Sequence, residues 1–156
     1  MALVANNIDE QILELFKNES SRNKALEMLI DCYQQKLYWH IRKIVISHDD
    51  SDDVLQNTYI KIWKGLENFK GESALFTWLY RIATNESLTF LKQKQKRNTT
   101  SLHPIEYQLS KEIESDQYFK GDEIQMKLQQ AILTLPEKQR IVFNMRYFDE
   151  MPYEKM

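Results

Sequence analysis

Between Thr77 and Arg97 the chain sets out residues suited to holding a nucleic-acid strand. Thr77, Arg81, Asn85, Leu88 and Lys92 recur at spacings of three and four, which places them along one side of a helix. Arg and Lys neutralise phosphates, and an Asn amide both donates and accepts along a base edge. The stripe runs into Lys92, Lys94, Lys96 and Arg97 with no acid among them. A helix C-terminus favours cations, but four exceed that need, so phosphate contact is the expectation. A second patch lies upstream. Asp53, Gln56, Asn57, Ile60 and Lys64 share a face opposite the apolar stripe Leu55, Tyr59, Ile62 and Leu66. Ile60 breaks an otherwise polar face. Ringed by Asp53, Gln56 and Asn57, it has the form of an apolar anchor with a polar rim, as in a helix-docking interface.

Other chemistries find little support. No Cys/His metal spacing, phosphate loop or nucleophile motif is present, and His40 and His103 have no evident catalytic partners. The run His48-Asp49-Asp50-Ser51-Asp52-Asp53 reads as the end of one helix and the cap of the next, because Ser and Asp before an apolar-periodic run are N-cap chemistry. The single cysteine, Cys32, excludes an intramolecular disulfide, and its apolar neighbours Leu29, Ile30 and Tyr33 predict a buried thiol. No signal peptide or membrane-spanning apolar run is evident, which predicts a cytoplasmic protein without membrane insertion. A net charge of −2 confines any nucleic-acid contact to a local patch.

These patches need helices to position them. With only three Gly and three Pro in 156 residues, and no sustained alternation at period two, the chain is expected to be all-α. The pattern predicts a short helix over 8–17, a turn over 18–23, and a long helix carrying Leu26, Leu29, Ile30, Tyr33, Leu37, Ile41, Ile44 and Val45. Further helices are predicted over 52–66 and 74–95, the latter packing Leu75, Trp78, Leu79 and Ile82 inward. Between them, Gly71 supplies turn conformations and Ser73 a helix cap, while Phe69 plugs the core beneath the loop. After Arg97 the charge turns acidic and the patterning weak. Asn98-Thr99-Thr100-Ser101 and Pro104 mark a boundary, giving a domain over 1–97, an acidic linker over 98–119, and a second unit over 120–156. In that unit Ile124, Leu128, Ile132 and Leu135 form one helix. Pro136 begins another, with Ile141, Val142 and Met145 on its apolar side.

Three segments carry a resemblance. SDDVLQNTYIKIWKGL, ENFKGESALF and TWLYRIATNESLTFLKQKQKR together resemble region 2 of an extracytoplasmic-function sigma factor, the small type in the sigma-70 family of bacterial RNA polymerase specificity subunits. Asp53, Gln56 and Ile60 match the pattern D-x-x-Q-x-x-x-I of the helix that binds the β′ clamp coiled coil of polymerase core. Asn57 departs from it, since an acid is usual there, which implies weaker or retuned pairing with the basic clamp. The pattern F-x-G-x-S-x-x-x-T-W-L-Y-R-I-A-x-N implies contact with the minus-ten element. Phe69 and Asn85 match positions lining a pocket for one base flipped from its non-template strand. Flipping costs a few kcal/mol that pocket contacts must offset. By the same resemblance Ser73, Thr77, Arg81, Lys92, Lys94, Lys96 and Arg97 belong to the DNA-binding set, and Asn57 and Lys64 to the polymerase-binding set.

The resemblance resumes at LPEKQRIVFNMRYFDEMPYEKM, which is similar to the opening of sigma region 4. Glu150, Met151 and Pro152 stand where Gly, an apolar residue and Ser are common, and a helix is expected near Tyr153. A helix-turn-helix reads the major groove with its second helix, so a region 4 without that recognition helix is expected not to bind the minus-thirty-five duplex. The resemblance implies promoter-specific transcription initiation without catalysis or cofactor, with polymerase core, promoter DNA and an anti-sigma factor as partners. The competing reading is a sigma-like interaction protein that occupies polymerase without productive promoter recognition. An enzyme is remote.

Overall fold

The computed structural model describes residues 2–97, 105–116 and 123–147, and every regular element among them is helical. Helices α1 (Ala2–Lys17), α2 (Arg22–Val45), α3 (His48–Gly65) and α4 (Leu75–Arg97) make the main body, with single 3-10 turns at Glu19–Ser21 and Leu66–Asn68. Helices α5 (Ile105–Ser115), α6 (Glu123–Ile132) and α7 (Glu137–Tyr147) follow. The residues Asn98 to Ser101, His103, Pro104, Phe148, Glu150 to Pro152 and Tyr153, on which several sequence expectations fall, lie outside the described residues.

Helix α2 is the hub, packing against α1, α3, α4 and α7. Leu29, Leu37, Ile41, Ile62 and Leu79 are wholly enclosed at 0% exposure, and each such burial stabilises the fold by about 1.5–3 kcal/mol. The expected stripe on α3 holds: Leu55, Ile62 and Leu66 are buried, Tyr59 is half-buried, and Ser51, Val54 and Thr58 join them. Ser51 and Thr58 satisfy their hydroxyls by donating to the carbonyls of Ser47 and Val54 at 2.6 and 2.7 Å.

Helix α3 is entered through a tight reversal. Ser47 N–H donates to Val45 C=O at 2.9 Å across Ile46, whose φ of 73° and ψ of −57° define a three-residue turn of positive φ. A β-branched residue avoids that region, at a cost of about 1–3 kcal/mol. Ile46 is held there because its side chain is fully buried in the core. Ser47 then caps α3, its hydroxyl accepting from Asp50 N–H at 3.4 Å. The cap is therefore Ser47, and the run from His48 to Asp53, expected to end one helix and cap the next, already forms the first turns of α3. There Asp49 and Asp50 favour the helix dipole.

Other expectations are corrected. Cys32 is exposed, because α2 turns its Leu29–Tyr33–Leu37 side to the core and leaves position 32 outside. The inward face of α4 is rotated: Leu75 and Leu79 are buried as expected, but Tyr80, Ala83, Ser87 and Leu91 complete it, while Trp78 and Ile82 are only half-buried. The acidic segment after residue 104 is not patternless. Ile105, Leu109 and Ile113 recur every four residues and bury one face of α5. In α6 the buried face is Gln129 and Ile132, continued by Leu133 just beyond the helix, and Ile124 is left 78% exposed; in α7, Ile141 and Met145 are buried but Val142 is exposed.

Candidate polymerase and nucleic-acid interface

Helix α3 presents Asp53, Gln56, Asn57, Ile60 and Lys64 to solvent on a single side. Ile60 is 52% exposed, so an apolar group does stand in the middle of a polar face. Trp63 extends it. At 36% exposure it lies three residues beyond Ile60, its ring packed edge-on against Phe16 of α1 at 5.7 Å. The sequence reading passed over Trp63, although the spacing of Gln56, Ile60 and Trp63 is the signal that would have found it. Behind this face Lys61 forms an ion pair with the nearly buried Glu86 of α4, fixing α3 against the helix that carries the second patch.

On α4, Arg81, Asn85, Lys92, Lys96 and Arg97 are exposed and Leu88 is half-buried. Thr77 is at the buried limit, at 9%. Beneath them Thr84 is hydrogen-bonded to the fully buried His40 at 2.7 Å, and the His40 ring lies against Tyr80 at 4.4 Å. His40 is thus a packed core residue of α2.

Lys94 is placed apart from the other cations of the expected phosphate-binding set. It is turned inward, and its ammonium donates to Glu112 of α5 at 2.6 Å and to Asp50 of α3 at 3.0 Å. Burial alone would pull the ammonium down, but the hydrogen bonds to Glu112 and Asp50 outweigh it and hold its pKa above the ordinary lysine value. Two of the three N–H donors of the ammonium are engaged, and the two carboxylates beside it repel a phosphate.

The loop between α3 and α4 turns at Gly71, whose φ of 75° suits glycine. Ser73 does not cap α4; its hydroxyl donates to the Ala74 carbonyl at 3.3 Å. Phe69 packs against Trp78 with centroids 5.3 Å apart, and a Cβ at Gly65 would come within 3.2 Å of the same indole. Phe69 lines a cavity of about 510 Å³ with Leu13, Phe16, Arg22 and Leu66. Asn85 lines a different cavity, of about 330 Å³, with Thr77, Tyr80, Arg81, Thr84 and Leu88. Asn85 stands about 10 Å along the helix from Trp78, at 1.5 Å per residue. The two residues expected to share a base pocket do not line one cavity in this arrangement.

The far wall of the Asn85 cavity is α7, through Lys138, Ile141, Val142 and Met145. Helix α5 is tied to the main body by Lys94–Glu112 and by Arg42–Asp116, a 2.6 Å pair whose Arg42 side chain is 5% exposed. No sequence signal pointed to this pair, which joins residues far apart in the chain.

Residues 29–97 match the family model for sigma-70 region 2, and residues 125–156 match that for sigma-70 region 4. The chain is 32% identical over 154 residues to the RNA polymerase sigma-H factor of Pseudomonas aeruginosa, covering 94% of this chain and 79% of that protein. It is 29% identical over 161 residues to the ECF RNA polymerase sigma-E factors of Salmonella typhimurium and Escherichia coli, covering 98% of this chain and 83% of theirs. The chain belongs to the sigma-70 family of RNA polymerase sigma factors, in its extracytoplasmic-function group. It is accordingly a promoter-specificity factor for transcription initiation, and no described helix is long and apolar enough to cross a membrane.

Proposed function

We propose that α3 docks on the β′ clamp helices of polymerase core through Asp53, Gln56, Asn57, Ile60 and Lys64, with Trp63 widening the apolar anchor. In the resulting holoenzyme α4 reads and holds the non-template strand of the minus-ten element. The observation that carries this reading is the pair of exposed faces on adjoining helices: one is an apolar centre with a polar rim, the other a row of Arg81, Asn85 and Lys92. The Lys61–Glu86 pair and the shared core make the two faces one rigid unit, so docking the first positions the second.

Within α4 the roles divide by chemistry. Asn85 takes the edge of the flipped base and Phe69 its face, which requires the 69–74 loop to close towards Asn85 when DNA enters. Ser73 and Thr77 add hydroxyl contacts beside the loop. Arg81, Lys92, Lys96 and Arg97 take phosphates. The chain acts in the cytoplasm, performs no catalysis, and is held in check by an anti-sigma factor.

Fluorescence anisotropy of the holoenzyme on a set of minus-ten oligonucleotides, at several salt concentrations, separates these roles. Asn85→Ala is expected to cost ~1–3 kcal/mol against the preferred base and to flatten discrimination at that position. Lys92→Ala is expected to weaken all sequences alike and to lower the salt slope by about 0.7, the value for one contact to a single strand. Full base preference in Asn85→Ala would remove the pocket assignment, and an unchanged slope in Lys92→Ala would leave that lysine a helix terminus only.

A further inference from the structure

Phe69 and Asn85 line separate cavities, and that of Phe69 has the lining of a base site in its own right. It lies between the end of α1, the start of α2 and the loop after α3, and its volume of about 510 Å³ is within the range that takes small ligands. Leu13, Phe16, Leu66 and Phe69 give it apolar walls. Lys17, Arg22 and Lys70 bring cations to the same space, against the single acid Glu67. Apolar walls ringed by cations suit a nucleotide, because a base stacks on a flat apolar face and its phosphates need positive charge. Arg22 is already held in place for this. Its Nε donates to the Phe16 carbonyl at 3.1 Å, and its Cζ lies 4.9 Å from the centre of the Phe16 ring. It stands 3.6 Å from Glu67, whose side chain is 65% exposed, so the pair is a weak surface one that leaves both groups able to meet a ligand. The cavity also adjoins both proposed faces. Phe69 belongs to the loop that packs on Trp78 of α4, and Phe16 is the ring on which Trp63 of the docking face rests.

We infer that this cavity takes a second base of the same non-template strand, apart from the one held at Asn85, and that Glu67 selects it. The inference rests on α4 being the strand-reading helix. Closing the 69–74 loop on the Asn85 base draws Phe69 out of the cavity and bares Leu13, Phe16 and Leu66. An entering base covers that apolar surface again, which offsets the few kcal/mol of its own unstacking. Lys17, Arg22 and Lys70 meet the flanking phosphates. Stacking accepts any base, so the choice falls to the edge. The Glu67 carboxylate only accepts hydrogen bonds. It favours a base with an exocyclic amino group, cytosine or adenine, over thymine, whose O4 is itself an acceptor.

The test titrates holoenzyme with minus-ten non-template single strands that carry one abasic nucleotide at a time. Two positions should each lose about ten-fold in affinity when their base is removed. Asn85→Ala should abolish the loss at one of them and leave the other. Leu13→Trp, which fills the cavity with an indole, should do the reverse. Glu67→Gln should keep the second position sensitive to base removal but let thymine bind there as well as cytosine, since an amide also donates. Should Leu13→Trp misfold, Lys17→Ala, at a side chain 74% exposed, should still lower the salt slope of strand binding by about 0.7. An unchanged slope in Lys17→Ala would overturn the inference. So would the absence of any position that is untouched by Asn85→Ala and silenced by Leu13→Trp. Thymine still refused by Glu67→Gln would overturn the selection by Glu67. A wild-type holoenzyme indifferent to every abasic position would instead overturn the reading of α4, and the second base with it.

Discussion

At Ile46 the chain accepts a backbone conformation that its side chain resists. The turn across Val45, Ile46 and Ser47 is what aims α3, and with it the docking face, away from the end of α2. Ordinarily Gly is about 0.5–1 kcal/mol worse than Ala in a helix, because the unfolded chain gains freedom. At a φ of 73° the order should reverse, since Ala keeps the strain and Gly does not. Both variants lose the burial of the isoleucine, by some 2–5 kcal/mol. Urea denaturation should therefore find Ile46→Gly at least as stable as Ile46→Ala, whereas at the helical, equally buried Ile41 the order should be the usual one. A less stable glycine at 46 would deny that the turn is strained. Tyr59 offers a second residue-level case. Burial pushes its phenol up to about 12, and its hydroxyl lacks a partner among the described residues. Tyr59→Phe should leave stability unchanged or raise it by up to about 1–3 kcal/mol in the same measurement. Loss of stability would mean that the hydroxyl is satisfied. The linkage to pH runs one way: a phenol raised in the fold is favoured protonated, so its contribution is full below pH 10 and disappears as pH rises through about 12.

Elements differ in how far their sequence disclosed them. Helix α3 was legible on both sides, because its apolar stripe and its polar face with Ile60 each follow the helical period without interruption. Replacing Ile60 by Asp puts an unpaired charge in a desolvated contact and should cost ~2–4 kcal/mol of binding to the isolated clamp helices. Pull-down with a folded Ile60→Asp variant checks this, and undiminished capture would remove α3 as the docking helix. Helix α4 was legible only in part. Its inward face contains Thr84 and Ser87, and polar residues read as outward until their partners, His40 and the Ala83 carbonyl, are seen. The same blindness put Lys94 among the phosphate contacts, since a cation near a helix end carries no mark of carboxylates on two other helices. The two lysines should now part company: Lys92→Ala lowers the salt slope of DNA binding, while Lys94→Ala leaves the slope alone and loosens α5, seen as faster amide exchange over Ile105–Ser115. Equal effects from the two would return Lys94 to the DNA. Helix α5 itself has the spacing of a packed helix in Ile105, Leu109 and Ile113, but the surrounding acids and the turn residues before it outweigh three apolar positions.

For the molecule as a whole, what could not be read beforehand is how the two family regions meet. Periodicity reports that a helix has a buried side and says nothing of which neighbour covers it. Helix α7 illustrates the difficulty, since Val142 reads as core, and the packing exposes it while burying the polar Asn144. That inversion makes the stability of the molecule uneven. Helices α2, α3 and α4 share most of the apolar core and should exchange their innermost amides only on global unfolding, whereas α7, which adds only Ile141 and Met145 to it, should leave by a smaller opening that rehydrates Arg140 and Asn144. Filling the place of the unmatched amide with an apolar side chain of similar volume removes the cost of burying it, about 1–3 kcal/mol. Asn144→Leu should therefore slow amide exchange throughout Glu137–Tyr147 by roughly five-fold or more, at about 1.4 kcal/mol per factor of ten, and leave the innermost amides of α2 unchanged. Faster exchange in α7 would show that Asn144 is satisfied where it lies. An equal slowing in α2 and α7 would show that the two unfold together and that α7 has no opening of its own.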